Sequence, residues 1–489
     1  MDVLSRVHSV LSGTFHLSTI RPHQIDAIES VLAGKDTVVL LPTGGGKSLC
    51  YQLPAVLNGG VTVVLSPLIA LMQDQVTAMK ALGIDARVYC STTPAADKRS
   101  LQEWNSFKPL ILYTTAESLQ SVFLTKLLDQ LYKKGKVALF AVDECHCISS
   151  WGHDFRPKYR QLSILRGKYP TIPIIALTAT AIPQVQKDVI ESLALKTPHV
   201  VKASFNRPNI HYCIRFKLLH EESSFNKLLD DVNRLQFPAD MGIVYCNRRE
   251  TCEEVAAFLN GRRIRSAAYH AGLSASIRVE LLQRWKSHKL DVMVATIAFG
   301  MGMDQANVRA VFHWNLPKNL ESFVQESGRA GRDGLPSQSF LYYNNEDAKM
   351  LCWQSDQKEG DQKRIAALCD WCTGTTRCRR LGLLAYFGEA REGGCKKDEE
   401  ACDCCRSVST VQKAFAAFER SLCGQPIVSP PSPPTKKQRF DDKKDKRYKG
   451  DLPSDPWKAL DVLEAAEKRE KNAGFCSARS LLRKSKDYS

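Results

Sequence analysis

The chain has 489 residues, 44% hydrophobic and 25% charged, with a formal net charge of +16. This suits roughly three domains with ordinary cores and favours a polyanionic partner over a small neutral one. No apolar run is long enough for a membrane span and the start MDVLSRVHSVLSGTF lacks an uninterrupted apolar core, so an intracellular protein without a membrane partner is expected, its 17 cysteines serving as thiols or metal ligands.

The predicted elements begin with five short apolar runs, DTVVLLP, VTVVLSP, LILYTT, VALFAVDE and IPIIALTAT, separated by helical patterns such as ALMQDQVTAMKAL. Each reads as a strand buried on both faces, the mark of a parallel sheet. After NRPNIHY a second series follows: MGIVYCN, IRSAAYHAG, LDVMVAT, VRAVFHW and QSFLYY. Two successive series predict two tandem, doubly wound α/β domains, joined near Ala203 to Asn209. From about Glu346 the pattern turns helical and cysteine-dense as far as Cys405. The expected division is therefore 1–205, 206–345, a helical module 346–410 and a basic tail 411–489. The tail contains SPPSPPTKKQRFDDKKDKRYKG and is expected to be mostly flexible. One short helix, WKALDVLEAAEKREK, is predicted within it, capped by Asp455 with Pro456 in its first turn.

The stretch LLPTGGGKSLCYQ places Thr43, Gly44, Gly45, Gly46, Lys47 and Ser48 between a strand and a helix. Glycines let backbone N–H groups crowd around phosphates, the lysine reaches the β and γ phosphates, and the serine hydroxyl ligates magnesium. The strict phosphate-loop pattern has a glycine where this chain has Leu41. The bland alternative, a glycine turn capping a helix, is the weaker reading beside a Lys-Ser pair. AVDECHCISSWGHDFRPKYR admits two readings: a metal cluster of Cys145, His146, Cys147 and His153, or a strand delivering Asp143 and Glu144 to a nucleotide. Three adjacent residues at a strand end point alternately and cannot converge on a metal, so the second reading is preferred. Asp143 then holds magnesium, and Glu144 orients and deprotonates the attacking water.

With DECH after PTGGGKS, the chain resembles superfamily 2 helicases and, within them, the RecQ family. P-T-G-x-G-K-S is the helicase form of the phosphate loop. IRPHQIDAI resembles the family's adenine-reading motif, which implies base contacts by Arg21 and Gln24. SPLIALMQDQV and TTAES are similar to motifs that grip a nucleic-acid backbone, and ALTATA to one linking hydrolysis to domain movement. IVYCNRRET, YHAGLS, ATIAFGMGMDQANVRAVFHW and QESGRAGRDG are similar to the second-domain set. Within these, Gly302 and Asp304 resemble a coupling motif at the nucleotide. Arg329 and Arg332, spaced for one side of a short helix, resemble arginine fingers; surface salt bridges are the alternative. HCISSWGHDFRPKYRQL is close to the RecQ aromatic-rich loop, which implies that His146, Trp151, Phe155 and Arg156 couple DNA to hydrolysis. An ordinary core role for the two aromatics is the alternative, weighed against a polar, glycine-containing setting.

Seven cysteines fall between Cys369 and Cys405, and CRRLGLLAYFGEAREGGC followed by CDCC resembles the RecQ zinc module. The resemblance implies zinc on Cys378, Cys395, Cys402 and Cys405. The insertion KKDEEA leaves Cys404 as a rival, and Cys369 with Cys372 form a rival C-x-x-C pair. The plan resembles the short fifth RecQ paralogue, which lacks a winged-helix domain. The resemblance as a whole implies an ATP-dependent 3′-to-5′ DNA helicase of recombination, replication and repair, using ATP, magnesium and zinc. Its partners would be single-stranded and forked or branched DNA, with repair or transcription proteins engaged through the tail. The basic run in the tail reads equally as a nuclear import signal, implying a nuclear protein, or as a solvated linker. Two rivals are weighed: an RNA helicase, and a DNA-stimulated ATPase acting mainly as a DNA-binding or strand-annealing factor.

Overall fold

A computed structural model of the chain describes residues 3–102, 110–149, 156–179, 182–218, 221–297, 299, 305–355 and 359–423. Strands β1 (Thr37–Leu40), β2 (Val61–Leu65), β3 (Asp85–Tyr89), β4 (Leu110–Thr114), β5 (Val137–Val142), β6 (Ile174–Thr178) and β7 (His199–Lys202) form one sheet, ordered β3-β4-β2-β5-β6-β1-β7. A second sheet contains β8 (Ile210–Phe216), β9 (Met241–Tyr245), β10 (Ser266–Tyr269), β11 (Val292–Ala295), β12 (Val308–His313) and β13 (Ser337–Tyr343), ordered β10-β11-β9-β12-β13-β8. Every pairing in both sheets is parallel. The architecture is two doubly wound α/β lobes followed by a helical region that carries a cysteine cluster.

The central strands are apolar throughout because both faces are covered. In the first sheet Val38, Leu40, Val63, Phe140 and Val142 join one core, while Val39, Leu41, Val64, Leu139 and Ala141 join the opposite one. This is the two-residue alternation of a strand, with each parity meeting its own layer of helices. Three strands are absent from the apolar-run reading. The edge strands β3 and β7 are half covered, so β3 carries Asp85 and Arg87, and β7 buries only Val201. The third, β8, begins directly after the predicted join, and it is buried along nearly its whole length.

The helical region covers β8 and does not hang free of the second lobe. Phe205, Ile210, Tyr212, Phe216, Leu341 and Tyr343 share one core with Leu368, Trp371, Cys372, Leu383, Phe387, Phe415 and Phe418. Phe216 stacks on Phe418 at 5.4 Å between centroids and meets Phe415 at 5.2 Å. Both phenylalanines lie on the helix Val408–Cys423. The expected boundary at 410/411 therefore falls inside a packed helix; its apolar face belongs to the second lobe's core. The predicted helix around Trp457 and the basic run lie outside the described residues.

Candidate active site and metal centre

In the first sheet β5, β6 and β1 are neighbours, so their carboxyl ends deliver DECH, Thr178 and the glycine-rich loop to one edge. Ligands of open parallel sheets bind at such an edge. After β1 the chain turns through 41–48 into the helix Leu49–Asn58. Gly44 and Gly46 have φ of +79° and +75°, a region that penalises any side chain. A Cβ on Gly46 would also collide with Gln24 Nε2. The loop is gripped from outside: Arg21 Nη1 donates to the Gly44 carbonyl at 2.9 Å, and Gln24 Nε2 to that of Gly46 at 3.1 Å. His23 Nε2 lies 3.4 Å from the Gly45 carbonyl, a contact not anticipated from sequence. Thus Arg21 and Gln24, expected as base readers, stand directly against the phosphate loop. Lys47 Nζ donates to the Leu41 carbonyl at 3.4 Å.

Asp143 continues β5, its N–H donating to Leu65 of β2 at 2.9 Å. Glu144 then turns left-handed, with φ 49° and ψ 45°, a conformation costing a non-glycine residue roughly 1–2 kcal/mol. Strain of this kind concentrates at functional sites. Residues Cys145–Ile148 form a single 3-10 turn and all are buried. This corrects the expectation of a strand end with alternating side chains: the left-handed Glu144 ends the extended conformation. His146 Nδ1 sits 2.9 Å from Thr178 Oγ1 and 3.2 Å from Glu144 Oε2, bridging the acid to the ALTATA stretch. Burial works against a charged ring, but neighbouring Cys147 and Glu144 outweigh it and raise the His146 pKa. Burial first, then repulsion from Glu144, pushes the Asp143 carboxyl up to about 7, with Lys47 opposing. A buried acid pair of this kind is relieved by a cation. The hydroxyl and carboxylate oxygens of Ser48 and Asp143 are the hard donors that suit magnesium.

Arg156 donates its N–H to Cys147 and its Nη1 to Pro67, both at 2.9 Å. Through its backbone and its guanidinium, Arg156 therefore ties the turn that follows DECH to SPLIALMQDQV. Trp151, His153 and Phe155 lie outside the described residues, as do Gly302 and Asp304.

The second lobe closes the site. The helix Leu320–Ser327 ends at Gly328, so Arg329 and Arg332 lie in the turns beyond it and not on a helix face. Gly331, within those turns, takes a left-handed φ of 56°. Arg329 is 7% exposed and stands near Tyr245, at the end of β9, whose phenol feels its charge. Arg332 reaches the first lobe: its Cγ is 3.7 Å from where a Cβ on Gly44 would stand. The two arginines thus have different environments, one braced within its own lobe and the other against the phosphate loop. Arg207, between the lobes, hydrogen-bonds both and was not singled out in sequence.

The sulfur atoms of Cys378, Cys395, Cys402 and Cys405 all lie within 4.8 Å of one another. Cys378 Sγ is 3.6 Å from Cys395 Sγ and 3.8 Å from Cys402 Sγ. Sulfurs bonded at about 2.3 Å to one tetrahedral zinc would be about 3.8 Å apart, whereas a disulfide needs about 2.0 Å. Backbone N–H groups of Arg379, Cys395 and Cys402 donate to sulfurs of the cluster at 3.4–3.5 Å. This donor set fits zinc. Of the rivals, Cys404 turns away, its Sγ 3.5 Å from the Thr375 carbonyl, while Cys369 and Cys372 pack in the core shared with the second lobe.

Residues 21–189 match the DEAD/DEAH box helicase model, 224–334 the helicase conserved C-terminal domain and 338–406 the RecQ zinc-binding model. The chain belongs to the RecQ family of helicases. Among its RecQ relatives, ATP-dependent DNA helicase RecQ of Haemophilus influenzae is 40% identical over 404 residues, covering 81% of this chain and 63% of that protein. ATP-dependent DNA helicase Q5 of Rattus norvegicus is 41% identical over 455 residues, covering 87% and 46%. ATP-dependent DNA helicase hus2/rqh1 of Schizosaccharomyces pombe is 40% identical over 426 residues, covering 83% and 32%. The chain therefore spans between about a third and two thirds of these relatives, and identity does not single out the fifth paralogue among them. The fold is shared with the helicase Lhr of Mycobacterium smegmatis, at TM-score 0.55 and 21% identity over 83% of this chain and 56% of that one.

Proposed function

We propose that this RecQ chain is an ATP-dependent DNA helicase that translocates 3′ to 5′ and acts in recombination, replication and repair. The observation that carries the reading is the convergence, at one sheet edge, of the phosphate loop, the Asp143–Glu144 pair and Arg332 from the opposite lobe. A nucleotide held there touches both lobes, so hydrolysis alters the contact between them. The relatives at about 40% identity bear the name ATP-dependent DNA helicase, and Lhr was solved with single-stranded DNA and a nucleotide analogue.

In this reading the amides of Thr43 to Ser48 and the Lys47 ammonium cradle the phosphates. Arg21 and Gln24, already against the loop, meet the base. Ser48 and Asp143 hold magnesium, which when bound offsets phosphate charge. Glu144 takes the proton of the attacking water, and its strained backbone together with His146 fixes the carboxylate's direction. Arg332, and Arg329 behind it, meet the charge that develops in the transition state. Cys378, Cys395, Cys402 and Cys405 hold a structural zinc, since four thiolates leave no open position. Trp151 and Phe155 stack on bases, and Arg156 and His146 carry that signal to Glu144 and Thr178. The DNA is single-stranded, forked or branched; the tail recruits repair or transcription proteins and directs the chain to the nucleus. No described helix is long and apolar enough to cross a membrane.

Strand separation on a forked duplex with a 3′ single-stranded arm, with and without ATP, tests this. ATP-dependent unwinding that fails on a 5′ arm is expected. ATP hydrolysis and annealing without any unwinding would replace the reading with that of a strand-annealing ATPase.

A further inference from the structure

We propose that Arg207 is a positioning residue for hydrolysis, stapling the arginine-bearing turn of the second lobe onto the phosphate loop. The inference rests on the ATPase reading above and adds a residue to it. Arg207 lies in the connector between the last strand of the first sheet and the first strand of the second. Its Nη1 donates to the Thr43 carbonyl at 3.2 Å and to that of Gly328 at 2.9 Å. Its Nη2 donates to the carbonyls of Ala330 at 2.8 Å and Gly331 at 2.9 Å. One guanidinium therefore bonds the residue before the glycine-rich run and three residues of the turn carrying Arg329 and Arg332.

This geometry needs a planar fork of donors. A lysine offers one point charge with three donors and cannot span four carbonyls on both lobes. The lobes meet closely here: a Cβ on Gly328 would be 3.2 Å from Thr43 Cβ. Asn209 grips the far end of the same turn, its Nδ2 donating to Gly331 at 2.8 Å and Leu335 at 2.9 Å. Arg207 makes no ion pair among the described residues, and burial, aided by repulsion from Arg21, lowers its pKa. A half-buried guanidinium whose hydrogen bonds all go to neutral carbonyls gives up solvation for geometry, since no carboxylate pairs with it directly.

The staple is itself anchored. Arg380, 2% exposed, donates to the Arg207 carbonyl at 2.6 Å, to Asn206 Oδ1 at 2.8 Å, to the Ile210 carbonyl at 2.9 Å and to that of Glu400 at 2.8 Å. Glu400 donates its N–H to Pro208 at 2.7 Å. Phe205 stacks on Phe387 at 4.7 Å, and Glu389 accepts from the Phe205 N–H at 2.6 Å. The connector is thus clasped by the module that carries the cysteine cluster, and through Arg207 the module sets where the second lobe's arginines stand. The Arg207 guanidinium is committed to backbone carbonyls, so its loss is expected to misplace Arg329 and Arg332 while sparing the grip on the nucleotide.

The test uses the full chain with Arg207→Lys and Arg207→Gln. Three quantities are measured: ATP hydrolysis with saturating single-stranded DNA, affinity for ADP, and affinity for ADP with aluminium fluoride as a mimic of the transferring phosphate. Misplacement by about 1 Å costs on the order of 10²-fold in rate. The expected result is a fall in kcat of that order and a comparable loss of affinity for the fluoride complex, with KM, ADP affinity and melting temperature little changed. If Arg207→Gln melts early, Arg207→Lys, which keeps charge and length, decides. Arg207→Lys hydrolysing at the parent rate, or losing ADP and fluoride-complex affinity equally, overturns the proposal. A parent chain that hydrolyses no ATP overturns the ATPase reading instead.

Discussion

At the residue scale the proposed function separates holding a nucleotide from cleaving it. Under that proposal Lys47 serves the first task, so Lys47→Ala is expected to cut ATP turnover by at least about 10²-fold while single-stranded DNA binding is little changed. Unimpaired turnover would dismiss the phosphate-loop role. The proposal gives Glu144 the second. Glu144→Gln should bind ATP normally and hydrolyse it about 10²–10⁴-fold more slowly, because an amide cannot take the proton; a nucleotide-binding titration beside a turnover assay checks this. Gly46→Ala would combine a left-handed backbone with a collision at Gln24. It should weaken ATP binding and lower stability by at least about 1–2 kcal/mol, read from a denaturant melt. The glycines and the lysine were legible in the sequence because they are contiguous. Their partners Arg21, His23 and Gln24 are about twenty residues earlier, and only the resemblance picked out two of the three.

At the scale of elements the cysteine module divides its thiols by direction. Cys404 and Cys405 are adjacent, yet one sulfur faces the Thr375 carbonyl and the other the Cys395 amide. Cys405→Ser is expected to leave the chain metal-poor, with early melting of the region from Cys378 onward, since thiolate binding and folding are coupled. Cys404→Ser should keep one zinc per chain, because a hydroxyl can still donate to Thr375. Zinc content of the purified variants decides, and the opposite pattern would exchange the two roles. Consecutive positions on a four-residue helix, Asp403–Arg406, point about 100° apart, and sequence alone does not say which of them faces the cluster. The edge strands show a similar limit: β3 and β7 escaped notice because a strand covered on one side has no continuous apolar run.

For the whole molecule, the net charge of +16 bears on association with DNA. Affinity for single strands should fall with salt at a log–log slope of about −0.7 for each phosphate contact. Removing the chain from Pro430 leaves the helix Val408–Cys423 intact and should weaken DNA binding while retaining DNA-stimulated hydrolysis. A truncated chain whose ATPase ignores DNA would place the sensor in the tail. The shared core of the second lobe and the helical module further predicts that these two parts unfold together. Two resolved calorimetric transitions between them would contradict this.

The sequence by itself determined whatever depends on neighbours along the chain. Apolar runs of strand length specified two parallel sheets, because strands covered on both faces must be apolar at every position. The glycine-rich loop and the acid pair declared themselves because each motif is contiguous and caps a strand. Tertiary structure decided the contacts made across distance. It set Arg332 beside Gly44, separated Cys405 from Cys404, and made the join at Ala203 to Asn209 a clasped connector holding Arg207 against both lobes. These outcomes depend on where the second sheet docks and on how the helical module covers β8. Both are fixed by packing between residues that lie from tens to hundreds of positions apart, and local patterns carry no direct record of such distances.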